Sequence, residues 1–341
     1  MSDLAEALRL LVAGDTLSAV QSANAVTEIM KGEQPPGLIG AFLTAMAIRP
    51  PSVEEIVGAA MAMRATMTRI EAPPNAIDLC GTGGDGKGTY NVSTAAAIIV
   101  AACGIPVAKH GNRSASSRAG TADVLEALSL PIDLPPAEAQ SALQNDGFAF
   151  LFAPLYHGAM RHVGSIRKEL GFRTIFNLLG PLCNPAQVRF QLLGVFSDEW
   201  VEKLAYVLRE LGSTRALVVH GHDGLDELTT TTSTLAAELR NGQITLRQIE
   251  PEEAGLSRTV ISQLIGADTK HNAAALRDLL GGKKNPFRDI ALLNSAAALQ
   301  VAGHSETLVA GVRQAAMAID DGRAERLLLR LIRTNRNQDK C

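Results

Sequence analysis

One stretch constrains this chain more than any other: IDLCGTGGDGKGTYNVSTAAAIIVAACG, residues 77–104. The apolar run Ile77–Cys80 opens into glycines at 81, 83, 84, 86 and 88. Asn91, Ser93 and Thr94 follow, and then an apolar run, Ala95–Cys103, long enough for a buried helix. The pattern predicts strand, glycine loop and helix start. Glycines let backbone N–H groups approach a ligand closely, and a helix start adds unpaired donors with a positive dipole end. Together they predict an anion site.

Two familiar patterns compete for that loop. Gly81, Gly83 and Gly86 spell G-x-G-x-x-G, which in a dinucleotide fold is followed about 20 residues later by an acid for the ribose. No Asp or Glu occurs between Gly86 and Ala122, whereas Lys87, Lys109, Arg113 and Arg118 do. The P-loop pattern G-x-x-x-x-G-K-[ST] is absent. Basic residues without acids favour a ligand carrying several phosphates, with its metal held from elsewhere.

Three successive segments carry a resemblance. Gly81-Thr82-Gly83-Gly84-Asp85, Asn91-Val92-Ser93-Thr94 and Lys109-His110-Gly111-Asn112-Arg113 resemble signatures of the anthranilate phosphoribosyltransferase family, of the nucleoside-phosphorylase-like class. The resemblance runs from about residue 5 to residue 335. It implies transfer of ribose 5-phosphate from phosphoribosyl pyrophosphate to the amine of anthranilate, a step of tryptophan biosynthesis.

The rest of the sequence is consistent with such an enzyme. The 341 residues suffice for two domains. They are 46% hydrophobic but 4% aromatic, so the core is built from Ala, Leu, Val and Ile in closely packed helices. A net charge of −3 argues against bulk electrostatic binding of nucleic acid. Cys80, Cys103, Cys183 and Cys341 show no C-x-x-C spacing, and reduced thiols in a cytoplasmic protein are expected. The amphipathic, acidic start MSDLAEALRL is no signal peptide, and no membrane span is expected.

Residues 1–70 read as a small helical domain. Ser2 is a candidate cap for Leu4–Leu11, Thr16 or Ser18 for the second helix, and Ser52 with Glu55 forms a capping box. Apolar faces left over there suit a dimer interface, and the resemblance implies a homodimer through these helices, with segment 160–184 packing back onto them. A hinge is expected at Glu71–Asn75, and residues 71–341 read as an α/β domain with a mostly parallel central sheet. Its expected strands are Ile77–Cys80, Ile105–Ala108, Phe148–Phe152, Gln191–Phe196 and Ala216–His220, with a further strand pair from Thr229–Thr232 and Ala236–Ile249 turning at Asn241-Gly242. Helices are expected over 271–280, 287–300, 306–320 and 322–333, with a frayed tail from Thr334.

In such sheets ligands bind beyond the carboxyl ends of the strands, which brings the glycine loop, Lys109 and the loop after Val219 to one crevice. Asp226-Glu227, adjacent acids in a glycine loop, suit a hard cation such as Mg²⁺. His220 and His222 have no third ligand at clear spacing for zinc. Arg167 reads from composition alone as part of a solvated helix face.

By the resemblance, Gly81, Thr82, Gly83, Gly84, Asp85, Thr89, Asn91, Ser93, Thr94 and Lys109 hold phosphoribosyl pyrophosphate. Gly81, His110, Asn112, His157, Arg167 and Gly180 face anthranilate, and Ser93, Asp226 and Glu227 hold Mg²⁺. Gly158 departs from the proline or small polar residue that the family usually has after this histidine. Two rivals stay open: a pyrimidine nucleoside phosphorylase-like enzyme, whose base-recognition motif is not found, and a non-catalytic relative that binds nucleic acid.

Overall fold

The computed structural model describes residues 2–113 and 119–338, and for 334–338 the backbone alone. Arg118 and Cys341 lie outside the described residues.

Four helices open the chain: α1 Asp3–Val12, α2 Ala19–Lys31, α3 Pro36–Ile48 and α4 Val53–Thr66. Ser2 caps α1, and capping boxes start α2 (Ser18 with Gln21) and α4 (Ser52 with Glu55). Glu55 has a second task. Its buried carboxylate accepts the Leu17 N–H at 2.9 Å and pairs with Arg49 at 2.6 Å, tying the α1–α2 turn to the start of α4. Helices α2 and α4 approach so closely that a Cβ on Gly58 would lie 2.1 Å from the Ala19 carbonyl oxygen.

The remaining elements build a covered sheet. In order they are β1 Ile77–Gly81, α5 Val92–Ala102, β2 Val107–Gly111, α6 Thr121–Ala127, α7 Pro136–Asp146, β3 Phe148–Phe152 and α8 Ala153–Tyr156. Then come α9 Arg161–Leu170, α10 Phe176–Leu179, β4 Phe190–Gly194, α11 Glu199–Glu210, β5 Arg215–Gly221, β6 Thr234–Arg240 and β7 Gln243–Ile249. Helices α12 Thr269–Leu280, α13 Pro286–Val301, α14 Leu308–Asp320 and α15 Arg323–Gln338 finish the fold. The strand order is β3-β2-β1-β4-β5-β6-β7, with β1 to β5 parallel and β6 and β7 antiparallel. Each face of the sheet has its own core. Helices α5 and α13 lie in one, while α11 and the amino-terminal bundle lie in the other.

Helix α9 packs on α2 and α3, and its Val163 and Ile166 join the bundle's apolar core. Arg64 on α4 reaches the other way, donating to the carbonyls of Leu182 and Leu211. Among the described residues, no helix is long and apolar enough to cross a membrane.

Three expectations need correction. Pairing in β2 begins at Val107 because Pro106 lacks an N–H; its carbonyl instead accepts the Ile77 N–H. The strand runs on to Gly111, so Lys109 and His110 belong to its end. Thr229–Thr232 is a loop: the Thr229 and Thr231 hydroxyls both donate to the Asp223 carboxylate, which curls the chain away from a ladder. Helix α15 continues five residues beyond Arg333, to Gln338.

Candidate active site

Strand β1 lies inside the sheet, with β2 on one side and β4 on the other. Successive strands leave β1 in opposite directions, and such a reversal opens a crevice at the carboxyl ends. A crevice of about 690 Å³ lies there, walled by Gly81–Asp85, Ser93, Lys109–Arg113, His157, Arg167, Gly180, Asp226 and Glu227 among others. It therefore gathers residues that lie far apart along the chain.

The glycine loop runs along one wall. Gly83, Gly84, Gly86 and Gly88 all have φ between 65° and 79°, a region that favours glycine, so the loop needs glycine at these positions. The loop is tied at both ends. Thr82 N–H donates to the Gly194 carbonyl and Thr82 Oγ1 accepts the Phe196 N–H. Thr89 bridges Ile265, and Tyr90 N–H donates to the Leu264 carbonyl. Tyr90 also stacks on Phe287, with ring centroids 4.5 Å apart.

Helix α5 starts at the floor of the crevice with no side-chain cap. Its Ser93 N–H donates instead to Glu227 Oε1 at 3.2 Å. Gly83 N–H donates to Asp226 Oδ2 at 2.8 Å. Asp226 lies across the paired glycines 81 and 194: a Cβ on Gly81 would stand 2.3 Å from Asp226 Oδ2, and one on Gly194 1.6 Å from its carbonyl oxygen. These two strand-end glycines make room for the acid. Burial, and then the nearby Asp85 carboxylate, push Asp226 up to about 7; burial and Asp226 push Glu227 well above the usual carboxylate range. The acids are clustered faster than the protein neutralises them, which is an environment that a cation relieves.

Lys109 lies beneath this cluster. It is 1% exposed, and its Nζ donates to the Leu79 carbonyl at 2.5 Å and to Ser93 Oγ at 3.2 Å. Asp78, fully buried in β1, accepts the His110 N–H at 3.1 Å and the Asn184 Nδ2–H at 2.8 Å. Lys109 is the main charge opposing the upward push of burial on Asp78. Charges thus alternate from beneath the crevice to its surface: buried Asp78, buried Lys109, then the half-buried acidic pair.

The opposite wall is different in kind. His110 Nδ1 lies 3.1 Å from the Gly180 carbonyl, which can only accept, so the ring proton sits on Nδ1. Its Nε2 lies 3.2 Å from His157 Nε2, within hydrogen-bond distance of the second ring. Burial holds both rings neutral, pulling His110 down to about 3 and His157 to about 4. Arg167 is half-buried beside them, its guanidinium 5.6 Å from the Phe176 ring centroid. Among the described residues no acid pairs with it, and burial lowers its pKa. A half-buried cation lining the same crevice as two neutral rings suits a planar carboxylate.

The His pair carries a prediction. As pH falls below the ordinary 6.5, the unfolded chain takes up protons that the buried rings refuse, so stability present above 6.5 is lost toward pH 4. Thermal melts of His110→Gln should show a shallower loss between pH 6.5 and 4 than the wild type; parallel curves would contradict the neutral pair.

Some sequence-based assignments fall elsewhere. Thr94 is fully buried behind the wall, its hydroxyl 3.3 Å from Thr121 Oγ1, which leaves only its backbone at the helix start. Asn91 borders the crevice, but its amide is taken up by the Ala119 carbonyl and Asn272. Asn112 is exposed at the rim, and its Oδ1 accepts the Arg113 N–H. Arg113, counted among the phosphate-facing bases, instead pairs with Asp123 and Glu126 of α6 at 2.7 and 2.9 Å. Lys87 is exposed and leans over Gly224. Asp78, Asn184 and Arg173 were not singled out as site residues. A lone acid inside the apolar run I-D-L-C was the available signal for Asp78, since a buried charge needs partners.

The comparisons with known proteins agree with this geometry. The glycosyl transferase family helical bundle domain matches residues 5–67, and the glycosyl transferase family a/b domain matches residues 73–325. The anthranilate phosphoribosyltransferase of Methylocella silvestris is 54% identical over 322 residues, 94% of this chain and 92% of that one. The crystal structure of the Thermus thermophilus enzyme of that name superimposes with a TM-score of 0.91 at 42% identity, over 96% of this chain and 98% of that chain. The Saccharomyces cerevisiae enzyme in complex with PRPP and Mg gives 0.88 at 30% identity, over 96% of each chain. With relatives this similar along nearly its whole length, the chain belongs to the anthranilate phosphoribosyltransferase family.

Proposed function

We propose that the two walls of the crevice divide the two substrates of this family's reaction between them. The enzyme transfers the phosphoribosyl group of phosphoribosyl pyrophosphate to the amine of anthranilate, releasing pyrophosphate. The observation that carries the division is the contrast of the walls: glycine-loop N–H groups and a helix start without a side-chain cap on one side, a half-buried Arg167 and a neutral histidine pair on the other. Breaking the C1–O bond leaves positive charge on the sugar and negative charge on pyrophosphate, and the amine lone pair then closes on C1 while its proton goes to solvent. Work of this kind is mainly positioning and charge stabilisation. On this reading the loop Gly81–Asp85, Thr89, the start of α5 and Ser93 cradle the phosphates, and Lys109 fixes Ser93 from below. Arg167 forks onto the anthranilate carboxylate, with His110, His157, Asn112 and Gly180 around the ring.

Mg²⁺ fits the donor set. Asp226, Glu227 and the Ser93 hydroxyl are hard oxygen ligands, and the raised pKa values of the two acids mark charge that the protein leaves uncompensated. Mg²⁺ keeps water and substrate phosphates in its shell, so a pair of carboxylates and one hydroxyl can hold it. When bound, it supplies positive charge to the leaving pyrophosphate. The relative from S. cerevisiae solved with PRPP and Mg supports this use. A cytoplasmic homodimer completes the proposal: Val12, Val20 and Ile48 of the helical bundle are 76%, 68% and 82% exposed, and pairing two bundles would cover them.

The acceptor wall is tested by Arg167→Ala with each substrate varied in turn. Anthranilate KM should rise about 10- to 100-fold, using roughly 1.5–3 kcal/mol for hydrogen bonds to a charged group, with donor KM moving far less. Equal effects on both substrates, or none on anthranilate, would remove Arg167 from the site.

A further inference from the structure

Resting on that reading, we propose that Arg173 is a positioning residue for the donor loop: from outside the crevice it turns the Gly84–Asp85 peptide so that the Asp85 N–H faces the phosphates. Arg173 is exposed and follows the end of α9 by three residues, between the helix that carries Arg167 and the segment leading to Gly180. Its Nη2 donates to the Gly84 carbonyl. Its guanidinium lies over the Phe196 ring, 4.1 Å from the centroid. Phe196 is itself fixed to the same loop, because its N–H donates to Thr82 Oγ1 at 3.1 Å.

Thr82 to Asp85 line the crevice, whereas Arg173 and Phe196 do not. The Gly84 carbonyl is therefore drawn to the outer side of the loop. In a trans peptide the carbonyl and the following N–H point in opposite directions, so the Asp85 N–H turns inward. Within the loop, Asp85 Oδ1 accepts the Lys87 N–H at 3.1 Å, a contact that holds the side chain and not the Gly84 carbonyl. Gly83, Gly84 and Gly86 have φ of 67°, 79° and 71°, and Gly84 on the amino side of this peptide gives it freedom to rotate that a residue with a Cβ would lack. Rotated, it would present a carbonyl oxygen to the phosphates in place of a donor. Arg173 selects the productive orientation. It also links the two halves of the site, since the next residue, Thr174, donates its N–H to Asn177 Oδ1 in the acceptor wall.

The test uses Arg173→Ala, Arg173→Lys and Phe196→Leu in the full-length enzyme, with steady-state kinetics and calorimetric titration of phosphoribosyl pyrophosphate with Mg²⁺. Arg173→Ala should raise donor KM and Kd roughly tenfold, the scale of one charged hydrogen bond, with anthranilate KM nearly unmoved. Its melting temperature should match the wild type, because the side chain is exposed. Arg173→Lys should fall between, as lysine donates to the carbonyl but lacks the planar stack. Millimolar methylguanidinium should lower the donor KM of Arg173→Ala, and adding Phe196→Leu to it should do little more than either change alone. An unmoved donor KM in an active enzyme, equal changes in both substrates, or additive effects of the two substitutions would overturn the role of Arg173 alone. A wild type that does not turn over the two substrates would overturn the functional reading with it.

Discussion

Asp226→Asn combined with Glu227→Gln should cut kcat/KM by about 10²–10³-fold, the scale of removing preorganised charge from a transition state, and should leave the melting temperature at or above that of the wild type. Both parts follow from one fact. Burial and like charge hold the two acids above the usual carboxylate range, so their ionised forms are kept at a cost in stability. The amides retain oxygens that can accept the Gly83 and Ser93 N–H groups, so the loop and the helix start remain tied. What disappears is the negative charge that draws a cation to the leaving group. The check is steady-state kinetics over a Mg²⁺ series beside thermal melts. Full activity at limiting Mg²⁺ would remove the pair from metal binding, and a large drop in melting temperature would show it to be structural.

Lys109→Met should be costly in both senses. The sequence suggested a lysine reaching directly for phosphate; the structure puts its ammonium under the loop, on the Leu79 carbonyl and Ser93 Oγ. Removing it strips Asp78, fully buried, of the main charge that opposes its burial. Breaking a buried charge arrangement from one side costs about 3–5 kcal/mol. The variant should therefore melt well below the wild type, and Asp78→Asn added to it should recover part of the loss. Donor KM should also rise, since Ser93 loses its anchor. Unfolding by urea and donor kinetics on the single and double variants check this. A Lys109→Met enzyme of wild-type stability would contradict the buried-charge account.

How much of this could be read from sequence depended on the range over which each residue's partners act. The β1–loop–α5 unit was legible because glycine density, the apolar runs and the helix-start residues are all local. Asp226-Glu227 stood out because adjacent acids in a glycine loop after a strand have few other uses. Arg113 was misread because its partners, Asp123 and Glu126, arrive a helix later. Thr229–Thr232 has the β-branched composition of a strand, and only Asp223, brought back by the turn, makes it a loop. Gly194 carried no signal by itself; its need for hydrogen in place of a side chain arises from a carbonyl 32 residues on. Arg167 is the sharpest case, since composition called its helix solvated while α10 supplies the Phe176 ring that half-buries it.

The most direct measurement mixes the enzyme with anthranilate, phosphoribosyl pyrophosphate and Mg²⁺ and follows anthranilate fluorescence together with released pyrophosphate. The account predicts that anthranilate disappears only when donor and Mg²⁺ are both present, yielding N-(5-phosphoribosyl)anthranilate and pyrophosphate in equal amounts. Consumption without pyrophosphate release, full activity after chelation of Mg²⁺, or no consumption at all would contradict it.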